Sequence, residues 1–536
     1  MRKFYILAGI LLCTCFFIAY YKSVDRLPVA KEEKGSEQTE EEKDEYDSPM
    51  ERALLEFEKT KDPALGYVPF ERLGAAMDYT EEMKQQLAMA RGQSNLLWVE
   101  RGPTFDSLGP SNGNGRAGVN YTSGRVRAIL WDTLNDPSGN TVFAGGVAGG
   151  LWKCTNFLST IPNWQSIDDY FDNLAIAYIC QDPSNPSVMY FSTGEGTSNA
   201  DAVLGRGIWK STNAGATWSH LPSTASFIRS FRILCDNEGN VYAALRPTAT
   251  PVVQTSGLVR SSNGGATWTN ITPTLVGTAT ATATCTDLEI SSTGKLYASF
   301  GYATGSPGTT VRAYVTNNPA TVTQSTGWTL GTGIRLSGLA AIRMELAAIA
   351  DTVYAVTSNT SANTDSCYLS IDGGVTWTKR NTVVIPTGLG SGQTWYNQTL
   401  AINPRNISEL MSGGLDAYRS LDSGRTWTRA TFWVSTAPYV HADHHFIQWY
   451  YKNNESRLLI GCDGGLFLSR DHGITWADKN RNLAIKQFYS AAIHPDPGSP
   501  YLIGGTQDNG VHQLRYDGLG PSTEVTGGDG CFTHIN

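Results

Sequence analysis

The sequence predicts an all-β fold, a seven-bladed β-propeller, and three observations lead there. The octapeptide Ser-x-Asp/Asn-x-Gly-x-Thr-Trp occurs at Ser211–Trp218, Ser261–Trp268, Ser370–Trp377, Ser420–Trp427 and Ser469–Trp476. Its third residues, Asn213, Asn263, Asp372, Asp422 and Asp471, stand 50, 109, 50 and 49 residues apart. The 536 residues include 55 glycines and 10% aromatics but only 17% charged residues, a balance that suits short strands and tight turns.

The 109-residue gap is two periods, and a degenerate copy falls inside it: Thr316-Asn317-Asn318 with Gly327-Trp328. One period upstream of Asn213, Cys154-Thr155-Asn156 with Trp164 is another, which makes seven units. Within a unit an apolar run (Arg125–Trp131, Phe446–Tyr451) precedes a second run ending in Gly (Thr141–Gly145, Arg457–Gly461). A Gly-led run (Gly149–Cys154, Gly465–Ser469), the box and a short strand follow. Four short strands at this period describe a propeller blade, whereas a solenoid repeat needs one to three.

The chain opens with Arg2, Lys3 and an apolar run to Tyr21, read as a signal peptide or an uncleaved membrane anchor. Both readings place the bulk of the chain outside the cytoplasm, at the cell envelope or beyond. Residues 22–97 form an acidic linker and short helices. Lys31–Asp47 is Glu-rich and solvated. Ser48-Pro49-Met50-Glu51 is a helix start that caps a run with Leu54, Leu55 and Phe57, and a second helix is expected over Thr80–Ala90. The propeller is expected over 98–485. Residues 486–536 then read as the start of a further blade or a second propeller, in a sequence expected to be truncated.

The net charge of −8, with no basic cluster, excludes a nucleic-acid surface, and a membrane enters only through the leader. Of nine cysteines two lie in the leader; the other seven show no Cys-x-x-Cys pair and read as single buried thiols. The box itself is explained as a turn. Its Asp or Asn accepts backbone N–H groups, its Gly supplies positive φ, and its Trp packs beneath.

Candidate chemistry belongs on the opposite face, where between-blade loops converge around the channel mouth. His441, Asp443 and His445 alternate at the entry of a first strand, so period-2 geometry points them one way. Asp463 lies in the same blade's next loop. The set reads as a divalent-metal site (His441, Asp443, His445), an acid and base, or a hydrogen-bonded cluster locking the blade; no cofactor is fixed. Asp508 in Asp508-Asn509-Gly510, also readable as a Gly turn, and Glu195 in Gly194-Glu195-Gly196 are further carboxylates at equivalent loops. Trp395, Tyr396, Trp433 and Tyr439, with Tyr121 and Tyr170, are between-blade aromatics suited to stacking on a ligand or to covering loop cores.

The boxes resemble the BNR or Asp-box repeats of sialidases, of two-propeller xyloglucan hydrolases and of the sortilin ectodomain. A closer likeness is to large exported bacterial proteins with a sortilin-type N-terminal propeller, often named glycosyl hydrolases. It is carried by Gly149-Gly150-Leu151-Trp152-Lys153, His441–His445, Asp463-Gly464-Gly465-Leu466 and Gly505–Gly510. The resemblance implies the fold and an exported protein binding a peptide or glycan at the mouth. The alternative is a glycoside hydrolase with acid and base drawn from Asp443, Asp463, Asp508 and Glu195. The sequence lacks the sialidase Arg-Ile-Pro motif. Where the xyloglucan hydrolases carry Asp two residues before Gly-Gly, this chain has Val147 and Cys462.

Overall fold

Each unit becomes one antiparallel sheet. The computed structural model describes residues 49–69, 72–90, 100–108, 121–197, 199, 202–247, 255–274, 284–302, 311–334, 341–434 and 437–536. The leader, the acidic run, the Ser48 cap and Trp98 lie outside them. No helix among the described residues is long and apolar enough to cross a membrane.

The first sheet is Val126–Trp131, Val142–Gly146, Leu151–Cys154 and Trp164–Ser166, within a residue or two of the expected runs. Its register is antiparallel throughout, with Ile129 opposite Ala144 and Ala144 opposite Trp152. Six more four-stranded sheets repeat this order. The seventh is His444–Lys452, Glu455–Cys462, Gly465–Ser469 and Ala477–Asp478. A mostly buried apolar core lies between each consecutive pair from first to seventh. A further core joins seventh to first, where Val126 and Ile129 pack with Phe446, Leu459 and Leu468. Each fully buried Val, Leu or Phe contributes about 1.5–3 kcal/mol relative to exposure, so these inter-sheet cores dominate the favourable energy.

The box performs the turn chemistry read from it. Asp471 Oδ1 accepts Thr475 N at 2.8 Å and Ile474 N at 3.1 Å, Thr475 Oγ1 donates to Oδ2 at 2.6 Å, and Ser469 Oγ accepts Gly473 N at 2.8 Å. Gly473 has φ 84, as expected, but His472 before it is also left-handed at φ 62, which the motif did not reveal. In the degenerate copy of the fourth sheet the Trp328 indole instead donates to Ile271 O, in the third sheet's chain segment.

The eighth sheet differs from a simple next blade. Phe488–Ile493, Leu502–Thr506, Gly510–Leu514 and Ser522–Thr526 are joined by Asp106–Leu108, which pairs in parallel with the last strand. Asp106 therefore belongs to this sheet. The buried Asp106 carboxylate accepts Thr122 N and Oγ1, both at 2.6 Å, fixing the crossing. Two helices precede the sheets, Pro49–Thr60 and Leu73–Ala90. The second starts seven residues before its expected Thr80, because Ala75, Ala76 and Met77 are strong helix formers that outweigh Gly74.

Candidate functional site

First strands share a device that aims side chains inward. In the first, second, third, fourth, seventh and eighth sheets the register slips near the start of this strand, as between Val126 and Ala128 or His444 and Phe446. A bulge re-aims the extra residue. Arg127, Ala177, Phe231, Thr286 and His445, each at such a slip, line one cavity with Arg343, Glu345 and Tyr396.

At one edge of that cavity three carboxylates converge. Asp443, Asp463 and Asp508 each present an oxygen within 4.8 Å of the others. Asp463 is fully buried; its Oδ1 accepts His445 Nε2 and its Oδ2 accepts the Tyr396 hydroxyl, each at 2.8 Å. Asp443 Oδ1 accepts the side-chain amides of Gln393 and Asn397. Asp508, its side chain 27% exposed, opens the cluster to solvent and lies 3.7 Å from Arg125 Nε. Asp443 and Asp508 have φ 65 and 58, a left-handed backbone that costs a non-glycine residue about 1–3 kcal/mol and marks overdetermined loops.

The electrostatics divide the three. Burial opposes charge on Asp463, but His445, Arg125 and Tyr396 outweigh it and hold its carboxyl below the usual range. Burial first, and the Asp463 charge second, push Asp443 and Asp508 well above it. Burial also lowers His445, with Asp463 pulling the other way and Arg127 adding to the depression. With a carboxylate oxygen opposite it, Nε2 carries the proton and donates it to Asp463.

The other expected site residues fall in several places. Glu195 is buried and apart from the cluster: its Oε1 lies 3.1 Å from Arg127 Nη2 and its Oε2 accepts Val203 N at 2.9 Å. Arg127 in turn stacks over Tyr396, 5.2 Å from the ring centre, which relays Glu195 toward the cluster. The expected alternation of His441, Asp443 and His445 does not hold, because the strand begins at His444 and Asp443 is left-handed. His441 instead sets Nε2 3.2 Å from Asp508 O and Nδ1 3.3 Å from Ala442 O, so its ring engages backbone carbonyls. Trp395 is half-buried beside Tyr396. Trp433 donates its backbone N–H to Asp416, and Tyr439 is buried against Phe467, a core aromatic with no face for a ligand. Tyr170 is exposed, with Lys84 over its ring, and Tyr121 packs on Phe105. Val147 and Cys462, where the hydrolases carry Asp, are buried.

Arg125, Gln393 and Asn397 were missed. Arg125 is buried at the head of a mostly apolar run that holds a second arginine, Arg127, and that alternation of charge in a buried strand is the signal that could have found it. The Gly464-Gly465 pair is steric: a Cβ on Gly464 would stand 2.4 Å from His441 Cβ, and one on Gly465 2.0 Å from Asn480 Oδ1.

No protein-family model and no curated protein sequence matches the chain. Among solved structures it is similar to an ancestral GH74 enzyme at TM-score 0.50 and 14% identity, over 80% of this chain and 56% of that one. It thus spans little more than half of that relative. It also aligns with the GH74 xyloglucanase from Xanthomonas campestris (TM-score 0.37, 13% identity, 78% of this chain and 75% of that one). YCF48 bound to D1 peptide aligns as well (TM-score 0.41, 13% identity, 68% and 98%). At these identities what is shared is the fold: the chain is a β-propeller protein of eight sheets among its described residues.

Proposed function

We propose that the chain is a propeller of the sortilin-like, Asp-box type that binds a peptide or glycan at the channel mouth, over Asp443, Asp463 and Asp508. The observation that carries this is the convergence of carboxylates from the seventh and eighth sheets with Arg125 and Tyr396 on one polar point, open through Asp508. The core shared by the first and seventh sheets supports a seven-bladed ring, and the apolar leader supports export.

The engagement of Asp463 favours binding over hydrolysis. A glycosidase needs a carboxyl pair free to act across the bond. Here both oxygens of Asp463 already accept protein donors. A glycoside hydrolase acting on polysaccharide is the second reading. One observation favours it: His445, Arg125 and Tyr396 hold the Asp463 carboxyl below the usual range while burial pushes Asp443 above it, opposed settings of the kind a base and an acid need.

The test is a glycan and peptide array with the full chain, beside a reducing-end assay on polysaccharides. The expected result is binding without release of reducing ends. Release that disappears in Asp463→Asn would establish the hydrolase instead, and neither binding nor release would remove both readings.

A further inference from the structure

We propose that Asp443, Asp463 and Asp508 bind one divalent cation of the calcium class, through which the mouth meets its ligand. This deepens the mouth reading and rests on it for the ligand, though not for the ion. One oxygen from each of the three converges on one point, with Arg125 Nε 3.7 Å from Asp508 and His445 Nε2 donating to Asp463. Such a convergence of oxygens is what a hard divalent cation takes.

The kind of ligand selects the ion. Calcium takes several oxygens from carboxylates and neutral carbonyls in a flexible shell, whereas magnesium keeps several of its waters and is held by one or two carboxylates. Three carboxyl groups on one point with amide oxygens beside them suit calcium.

A second observation is independent of the acids. Asn397 is fully buried with its Nδ2 on Asp443, yet its Oδ1 has no hydrogen-bond partner. Asn509 is likewise buried, its Nδ2 on the Asp463 carbonyl and its Oδ1 unpartnered, and Gln507 Oε1 beside it is also unmatched. A buried acceptor without a donor costs about 1–3 kcal/mol, and neutral amide oxygens are what a hard cation adds to carboxylates. His445 then acts as a positioning residue, holding the Asp463 carboxylate from behind, and the ligand set is all-oxygen in place of the histidine set expected from sequence.

The experiment is calorimetric titration of the chelator-treated full chain with calcium and with magnesium at pH 7, paired with melting temperatures. The expected result is one calcium per chain, at least tenfold tighter than magnesium, with a melting temperature raised by calcium. Asp508→Asn, at the open edge, loses tenfold or more, whereas the box variant Asp422→Asn binds like the parent. Asn397→Ala, which keeps all three carboxylates, weakens calcium as well. Absence of stoichiometric calcium in the parent, or calcium binding undiminished in both Asp508→Asn and Asn397→Ala, overturns the proposal. Array ligands retained in chelator by a chain that binds no calcium would sink the ion and leave the mouth reading standing. Calcium binding with no array ligand would do the reverse.

Discussion

The hydroxyl of Tyr396 donates to Asp463 Oδ2 at 2.8 Å across 67 residues of chain, and it does so inside the protein, where neither group meets water. A hydrogen bond to a buried charge contributes about 1.5–3 kcal/mol, so Tyr396→Phe is expected to lose that much stability by calorimetry while keeping the ring under Arg127. Asp463 has a depressed carboxyl, so its contribution is present above the unfolded carboxylate value and lost as pH falls through the folded one. The variant should begin to fail at a higher pH than the parent during acid titration.

The buried arginine–carboxylate pairs around Arg232 and Arg343 carry the opposite pH dependence. Arg232 bonds Glu289 at 2.9 Å and also Asp287, while Arg343 pairs with Glu345 at 2.8 Å. Burial, with neighbouring carboxylates adding to it and the arginines opposing, pushes Glu289 up to about 7 and Glu345 to about 8. For carboxyls raised on folding, the stabilisation is fully present below the unfolded value and is lost as pH rises through the folded one. Denaturant unfolding at pH 5 and pH 9 should show the parent weaker at pH 9, by on the order of a few kcal/mol. Glu345→Gln should flatten that difference; an unchanged slope would refute this assignment.

The boxes predict a chemical equivalence. Asp422 accepts Thr426 N at 2.9 Å and Thr426 Oγ1 at 2.6 Å, and Asn213 makes the matching pair with Thr217 using its Oδ1 and Nδ2. Asp422→Asn should therefore melt like the parent at pH 7, whereas Asp422→Ala should cost roughly 1 kcal/mol, a lost hydrogen-bonded turn.

Cys180 and Cys235 sit on the first strands of the second and third sheets with Sγ atoms 3.5 Å apart. Treatment with dipyridyl disulfide should oxidise this pair to a cystine, two thiols giving up two protons and two electrons as the reagent becomes two thiopyridones. Peptide mass mapping should find that crosslink and none among the other described cysteines. Equal alkylation of all seven after treatment would contradict it.

Much of the fold was legible because one turn chemistry repeats at a fixed spacing: the box marks the third-to-fourth strand boundary of the first seven sheets and, by subtraction, their first and second strands. The strand Asp106–Leu108 was not legible. Three residues show no periodicity, and their partner Ser522 lies at the other end of the chain. Of the mouth, Asp443, Asp463 and Asp508 were named for their loop positions. Their mutual distances depend on left-handed turns at Asp443 and Asp508, where alternation along a strand says nothing. Of the two roles open to Tyr439, the structure gives the covering one: its ring closes the core beside Phe467, a choice that no residue pattern in the loop decides.

The most direct test of the mouth as the working site is the affinity of the strongest array ligand for the parent and for Asp508→Asn, by calorimetry at matched melting temperature. The account predicts at least a tenfold loss in the variant. Equal affinity in the two proteins would contradict it and place the binding surface elsewhere.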